Sequence, residues 1–277
     1  MKKMKKIIYL IFAIIFISCA AFLKSDEKLI NYVDPFIGSG GHGHVFVGAN
    51  VPFGGVQVGP TNFNKGWDWS SSYHHSDSIV KGFCHINVSG TGMSDLGELT
   101  IMPATGKLKT GAGTQNNHMA GYSSLYRKNK EFASAGYYKV HLERYDIDVE
   151  LTATERVGLH NYIFPKSEKS RVIIDLGEGS ADKPTETYIK KVNDTLFEGH
   201  RFSTGWARDQ REYFSLIISK PVSDFIVYDR HKKFKGTERK GDYVKGFLEF
   251  STEKDEKIMV KMGISTVSSK NALENMM

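Results

Sequence analysis

From Gly136 to Gly263 apolar and polar positions alternate. Tyr138, Val140 and Leu142 interleave with Lys139, His141 and Glu143, and Ile147, Val149 and Leu151 repeat the pattern beyond Tyr145-Asp146. A period of two puts alternate side chains on opposite faces of a strand, so these runs predict an antiparallel hairpin with one buried face. Val157 to Phe164 continues the pattern as far as Pro165. Arg171-Val172-Ile173-Ile174-Asp175-Leu176 is more continuously apolar and stops at Gly177. Further strands are predicted at Tyr188 to Val192, Phe197 to Phe202, Tyr213 to Ser219, Phe225 to Tyr228, Tyr243 to Phe250 and Lys257 to Gly263, with polar or Gly-containing turns between them. No amphipathic helical pattern of twelve or more residues, internal repeat or low-complexity tract interrupts them. The pattern predicts an all-β protein, an antiparallel β-sandwich.

The two ends read differently. Lys2, Lys3, Lys5 and Lys6 precede an apolar run of eleven residues, Ile7 to Ile17. That is short for a bilayer span and suits a signal peptide over residues 1–18. Ser18-Cys19-Ala20 resembles a bacterial lipobox, although Phe16 and Ile17 are unusual upstream of one. Cys19 is therefore the expected lipidation site, with residues 19–30 as a polar tether. The expectation is an exported protein: periplasmic, or a bacterial outer-membrane or cell-surface lipoprotein held to the membrane by its lipid. At the other end, Asn271-Ala272-Leu273-Glu274 has the spacing of a helix N-cap followed by an acid three positions on. Met277 comes about one turn later, which suggests a helix cut short in a truncated chain.

Composition narrows the function. With 277 residues, 40% hydrophobic and 12% aromatic, the chain suits a globular β-rich protein. The formal charge of +6 falls to +2 once the four leader lysines are set aside, which gives no reason to expect nucleic acid as a partner. Cys19 and Cys84 are the two cysteines, so lipidation of the first leaves no disulfide framework.

Candidate chemistry crowds between Asn31 and Pro103, where regular alternation is nearly absent. The Gly-rich run Gly38 to His44 carries His42 and His44, and Trp67-Asp68-Trp69 is followed by Tyr73, His74, His75 and Asp77. The histidine spacings match no zinc motif, and no Lys-Ser/Thr ending or following helix supports a phosphate loop. Hydrogen bonding within the loop is the expected role of His42 and His44. Two Trp with Asp, His and Tyr suit a sugar, whose C–H face stacks on an indole while its hydroxyls meet polar groups. Glycoside hydrolysis needs paired carboxylates, and Asp68, Asp77, Asp95 and Glu98 are candidates by type. No Gly-x-Ser-x-Gly elbow is present. The residues alone thus indicate an exported β-sandwich with carbohydrate contact and leave the chemistry open.

The ordered motifs go further. Val33 to Gly38, Gly40 to His44, Gly48-Ala49, Val51 to Gly54 and Trp67-Asp68-Trp69 with Tyr73-His74 together resemble the start of glycoside hydrolase family 92. Gly82-Phe83, His85, Ser89 to Gly92, Ser94 to Gly97, Gly136 to Tyr138, Glu150 to Arg156 and Ile174 to Gly177 continue the resemblance, and Lys261 to Ser265 looks like the exit from that family's N-terminal domain. Ser39, Ser70 and Val45-Phe46-Val47 depart from the usual pattern. The resemblance implies a β-sandwich of the supersandwich, galactose-mutarotase-like type over residues 31–265. Residues 266–277 would begin the link to a missing (α/α) barrel. It implies a calcium-dependent, inverting exo-α-mannosidase, many members being α-1,2-specific, acting on mannose-rich N-glycans. Catalytic residues and calcium ligands would lie in the barrel, leaving no catalytic or metal residue here and the fragment alone inactive. The expected substrate contacts are Trp67, Asp68, Trp69, Tyr73, His74, His75, His42, His44 and Asp95, with Trp67 or Trp69 at the leaving-sugar side. A free-standing carbohydrate-binding module or an inactive remnant are the alternatives.

Overall fold

The alternating runs pair in the register their pattern demands. Tyr137–Leu142 runs antiparallel to Ile147–Ala153, with Val140 opposite Val149. Tyr138, Val140, Leu142, Ile147, Val149 and Leu151 are all buried, while the polar residues between them stay partly exposed. A one-residue slip would expose all six, at roughly 1.5–3 kcal/mol per large apolar side chain, so burial fixes the register. Asp146 turns the hairpin with φ of 52°.

The structure is a computed structural model and describes residues 28–180 and 182–277. The expected signal peptide, Cys19 and most of the tether lie outside the described residues. Leu29–Tyr32 forms a short 3-10 turn, and residues 34–277 form a separate compact unit. Among the described residues no helix is long and apolar enough to cross a membrane.

Two large antiparallel sheets build that unit, together with a two-stranded one of Ile79–Val80 and Ser124–Leu125. The nine-stranded sheet runs in the order Glu238–Gly241, Lys183–Lys191, Leu196–Thr204, Gln210–Ile218, Glu256–Ser265, Val157–Phe164, Ile147–Ala153, Tyr137–Leu142 and Glu131–Ser134. The seven-stranded sheet runs Gly59–Thr61, Gly82–Cys84, Thr100–Thr105, Ser167–Asp175, Val244–Thr252, Asp224–Asp229 and Lys232–Phe234. One apolar core joins them, including Phe83, Ile101, Val172, Ile174 and Phe247 from one sheet and Tyr162, Phe197, Phe214 and Val260 from the other. The fold is the antiparallel β-sandwich expected. The continuous apolar run from Arg171 is buried from Ser170 to Asp175, as suits a strand covered on both faces.

The strands not anticipated have interrupted patterns. Thr100–Thr105 is central to its sheet yet contains Pro103, which cannot donate to a ladder. The sheet tolerates it because only Ile101 of this strand pairs with Gly82–Cys84, leaving Pro103 beyond that pairing. The C-terminal helix spans Ser269–Glu274 and is capped by Ser268, not by Asn271 as the spacing suggested. Ser268 Oγ accepts from the Asn271 N–H at 3.1 Å, placing Asn271 inside the first turn. The helix lies against Glu256–Ser265 at Gly263, where an added Cβ would come within 2.1 Å of the Ala272 carbonyl.

Candidate functional site

The loops from residues 38 to 97 are hydrogen-bonded to one another. Gly90 N–H donates to the His44 carbonyl at 2.8 Å, and Phe46 N–H donates to Ser89 Oγ at 3.1 Å. Ser71 Oγ donates to the same His44 carbonyl. These bonds tie the Gly-rich run, the Trp-containing turn and the Ser89 to Gly97 loop into one surface. Gly43 is required in it, because a Cβ there would lie 2.0 Å from the Gly38 carbonyl oxygen.

Trp67 and Trp69 share a single 3-10 turn but face different surroundings. Trp67 is 57% exposed. Its ring meets His44 edge-on at 4.2 Å between centroids and His42 at 5.3 Å. Gly92 packs against the indole so closely that a Cβ would approach Nε1 to 2.4 Å. Trp67 is thus supported from within and open to solvent. Trp69 is partly buried and stacks on His74 at 4.3 Å. Its Nε1–H donates to Asp77 Oδ2 at 3.0 Å, and Lys65 binds the same oxygen at 2.8 Å. Trp69 therefore ties this loop together.

The polar candidates divide in the same way. His42 Nδ1 donates to Asp68 Oδ1 at 2.6 Å. His44 Nε2 is buried, 3.9 Å from that oxygen, and has no hydrogen-bond partner. A buried ring nitrogen left unpaired is unusual and calls for a donor or acceptor from elsewhere. His42, His44, Asp68 and Trp67 form one cluster. His74 is buried, bonded to Ser76 Oγ at 2.7 Å and to the Gly41 carbonyl at 3.2 Å. His75 is exposed and lies edge-on to Phe36 at 5.5 Å. Tyr73 is 1% exposed; its hydroxyl receives a bond from Lys128 Nζ at 2.7 Å and donates to Glu131 Oε2 at 3.2 Å. Burial and the nearby Tyr126 and Glu131 hold that phenol well above its ordinary range.

Asp95 lies elsewhere. It is buried, and its Oδ2 accepts from Trp206 N–H at 3.2 Å and from Gln210 Nε2 at 3.1 Å. Nearby, Glu98 and Asp182 meet at the buried Arg201 guanidinium, at 2.8 and 2.5 Å from Nη1. Burial pushes the Glu98 carboxyl up to about 8 against the pull of Arg201. Trp206 was not anticipated, although it is the third Trp and stands at a strand-to-strand turn with no alternating apolar neighbour. Glu212, pushed up to about 7 by burial, lines a separate cleft with Arg156.

The geometry constrains the chemistry. Asp68 is held by His42, Asp77 by Lys65 and Trp69, and Asp95, Glu98 and Asp182 are buried in their own network. No two of these carboxylates face each other across an open cleft, as general acid and base must. Among the described residues no three His, Cys, Asp or Glu side chains converge to hold a metal ion. The Glu98 and Asp182 carboxylates already meet the Arg201 cation, so neither is free to hold a calcium ion.

A model of the glycosyl hydrolase family 92 N-terminal domain matches residues 32–265. The chain belongs to this family. A family 92 α-mannosidase from Bacteroides thetaiotaomicron, solved in complex with mannoimidazole, is 32% identical with a TM-score of 0.87. The match covers 90% of this chain and 34% of that one. A family 92 inverting mannosidase from the same organism is 24% identical and shares the fold, with a TM-score of 0.76 over 91% of this chain and 33% of that one. An uncharacterized secreted glycosidase of Arthroderma benhamiae is 27% identical over 189 residues, 62% of this chain and 22% of that protein. The family 92 domain described here thus spans about a third of the length of those structures and about a fifth of the secreted relative.

Proposed function

We propose that this family 92 domain contacts mannose-containing glycans through Trp67 as the N-terminal part of an exo-α-mannosidase. The observation that carries the reading is the open indole of Trp67, seated on His44 and Gly92 beside the Asp68–His42 pair. An exposed ring offers a stacking face, and Asp68 and His42 offer hydroxyl partners at its edge. The solved relative that holds mannoimidazole supports mannose as the sugar.

The finer reading is an inverting, calcium-dependent enzyme acting on α-1,2 linkages of mannose-rich N-glycans. In this reading acid, base and calcium ligands belong to a further domain, as the resemblance to family 92 implies. Calcium, when bound there through oxygen ligands, supplies positive charge that orients sugar hydroxyls. The residues of this domain bind and orient the substrate at the rim. The chain is exported and anchored through Cys19 in the same reading.

Mannose release from α-1,2-mannobiose tests it, using this chain alone and this chain joined to a family 92 catalytic domain, with and without calcium. The joined protein should release mannose only with calcium, and the chain alone none. Release by the chain alone would put the catalytic pair within these residues and overturn the assignment. A joined, folded protein that cleaves other glycosides and not mannosides would overturn the substrate.

A further inference from the structure

We propose that Trp206 is a second sugar platform, binding a mannose unit of the same glycan other than the one at Trp67. It rests on the proposed function and extends it to a site with its own indole.

Trp206 stands at the tip of the hairpin joining Leu196–Thr204 to Gln210–Ile218 and is 68% exposed. A large apolar ring left in water on a loose loop would need no explanation, but this tip is fixed. Its N–H and the Gln210 side-chain amide both donate to the buried Asp95 carboxylate. Gly205 N–H donates to the Ala207 carbonyl at 3.0 Å. A Cβ on Gly205 would lie 2.1 Å from Asp95 Oδ1, so only glycine lets the tip close onto that carboxylate. Gln210 is held at its other end by Ser203 Oγ at 3.1 Å. A buried charge used to position a backbone N–H fixes where the indole is mounted, and a fixed mount lowers the entropy cost of binding.

The indole borders an open cleft of about 560 Å³, lined also by Val88, Asp95, Leu96, Ala207 and Gln210. Leu96 has φ of 59°, a conformation that costs energy for a branched side chain and persists where surroundings impose it. Its carbonyl accepts from Ser180 N–H at 2.7 Å. The cleft thus combines an apolar wall and an indole mounted on a fixed backbone with the polar side chains of Asp95 and Gln210. That mixture suits a pyranose, with one C–H face and a rim of hydroxyls.

Continuity with Trp67 selects a glycan as occupant. Gly92 packs on the Trp67 ring, and Asp95 holds the Trp206 backbone. The step from Gly92 to Asp95 covers at most about 10 Å of chain, so the two open indoles flank one short loop. Asp95 acts on the platform as a positioning residue, by holding the Trp206 backbone N–H.

The test reads the indole N–H signals of Trp67, Trp69 and Trp206 by NMR while the purified protein is titrated with α-1,2-linked mannotriose, methyl α-D-mannopyranoside or cellobiose. Trp67 and Trp206 should both shift saturably with mannotriose, and Trp69, bonded to Asp77, should not. Trp206→Ala should weaken mannotriose binding about tenfold while Trp206→Phe retains most of it. The monosaccharide should discriminate less between the variants. A Trp67 response with Trp206 silent overturns this proposal, leaves the Trp67 site standing and assigns the cleft to another role such as a protein contact. A Trp206 response with Trp67 silent supports the second platform and sinks the first. Silence at both removes both, and an equal Trp206 response to cellobiose reduces the contact to unspecific stacking and overturns the proposal.

Discussion

His85 Nε2 lies 3.0 Å from His160 Nε2, with both rings fully buried. His85 follows Gly82–Cys84 of one sheet and His160 belongs to Val157–Phe164 of the other, so the pair bridges the sandwich. Its proton positions follow from its partners. His85 Nδ1 lies 2.8 Å from the Leu99 carbonyl, which only accepts, so Nδ1 carries the proton and Nε2 accepts. His160 Nε2 must then donate, and His160 Nδ1 accepts from the Tyr162 hydroxyl at 2.8 Å.

This hydrogen-bond chain is complete only while both rings are neutral. Burial pushes His85 down to about 4, and burial with His85 alongside holds His160 well below its ordinary value. As pH falls through the window from 6.5 to about 4, the unfolded chain takes up protons that the native one refuses. Native stability should therefore decline across that window, by about 1.4 kcal/mol per pH unit for each such proton. Urea denaturation of the parent and of His160→Gln at several pH values isolates this from the opposite trend of Glu98 and Glu212, and the same pH slope in both proteins would contradict the neutral chain.

Arg201 should be among the costliest side chains to remove. Replacing it by Met leaves Glu98 and Asp182 buried without their cation, a loss of about 3–5 kcal/mol. Glu98 has its own signature. Its native value near 8 lies above the ordinary 4.5, so folding retains a proton that the unfolded chain releases. The contribution of Glu98 to stability should fall as pH rises from about 4.5 towards 8, and Glu98→Gln should remove it. Denaturation midpoints of the variant and its parent at pH 6 and 8 measure the difference.

Gly92→Ala should act on Trp67 without unfolding the domain. The new methyl would enter the space of the indole Nε1, while Gly92 itself needs no left-handed backbone. The ring must move, so sugar affinity should drop about tenfold, or ~1.4 kcal/mol. Circular dichroism should stay that of the parent. Unchanged affinity would mean that the seat of Trp67 on this loop does not matter for binding.

Anchoring has a direct check. Labelling with palmitate in the producing cell should mark the parent and not Cys19→Ala. Equal labelling of both, or of neither, would refute lipidation.

Most of the fold was legible because burial on one face leaves a period of two, as in Tyr138, Val140 and Leu142 against Ile147, Val149 and Leu151. Thr100–Thr105 was not, since burial on both faces erases alternation and Pro103 imitates a break. The clustering of Trp67, Asp68, His42 and His44 was visible as composition. The division of labour between Trp67 and Trp69 was not, because both indoles occupy one Trp-Asp-Trp turn. What separates them is the Asp77–Lys65 pair beneath one and Gly92 under the other, contacts from different loops. Tyr73 and His74 read as polar aromatic candidates, yet their partners Glu131 and Gly41 turn them inward. Trp206 escaped notice because the carboxylate that positions it lies far away in sequence, at Asp95.

The central claim is that Trp67, and not Trp69, meets the leaving sugar. It is tested by kcat/KM for α-1,2-mannobiose and for a small aryl mannoside, measured on this chain joined to a family 92 catalytic domain. Trp67→Ala should lower kcat/KM for the disaccharide by about tenfold to a hundredfold, the scale of a stacking contact of roughly 1–3 kcal/mol, and change the aryl mannoside little. Trp69→Ala should cost stability first, through the loss of its bond to Asp77. A folded Trp67→Ala variant with parental kcat/KM on the disaccharide would contradict the account.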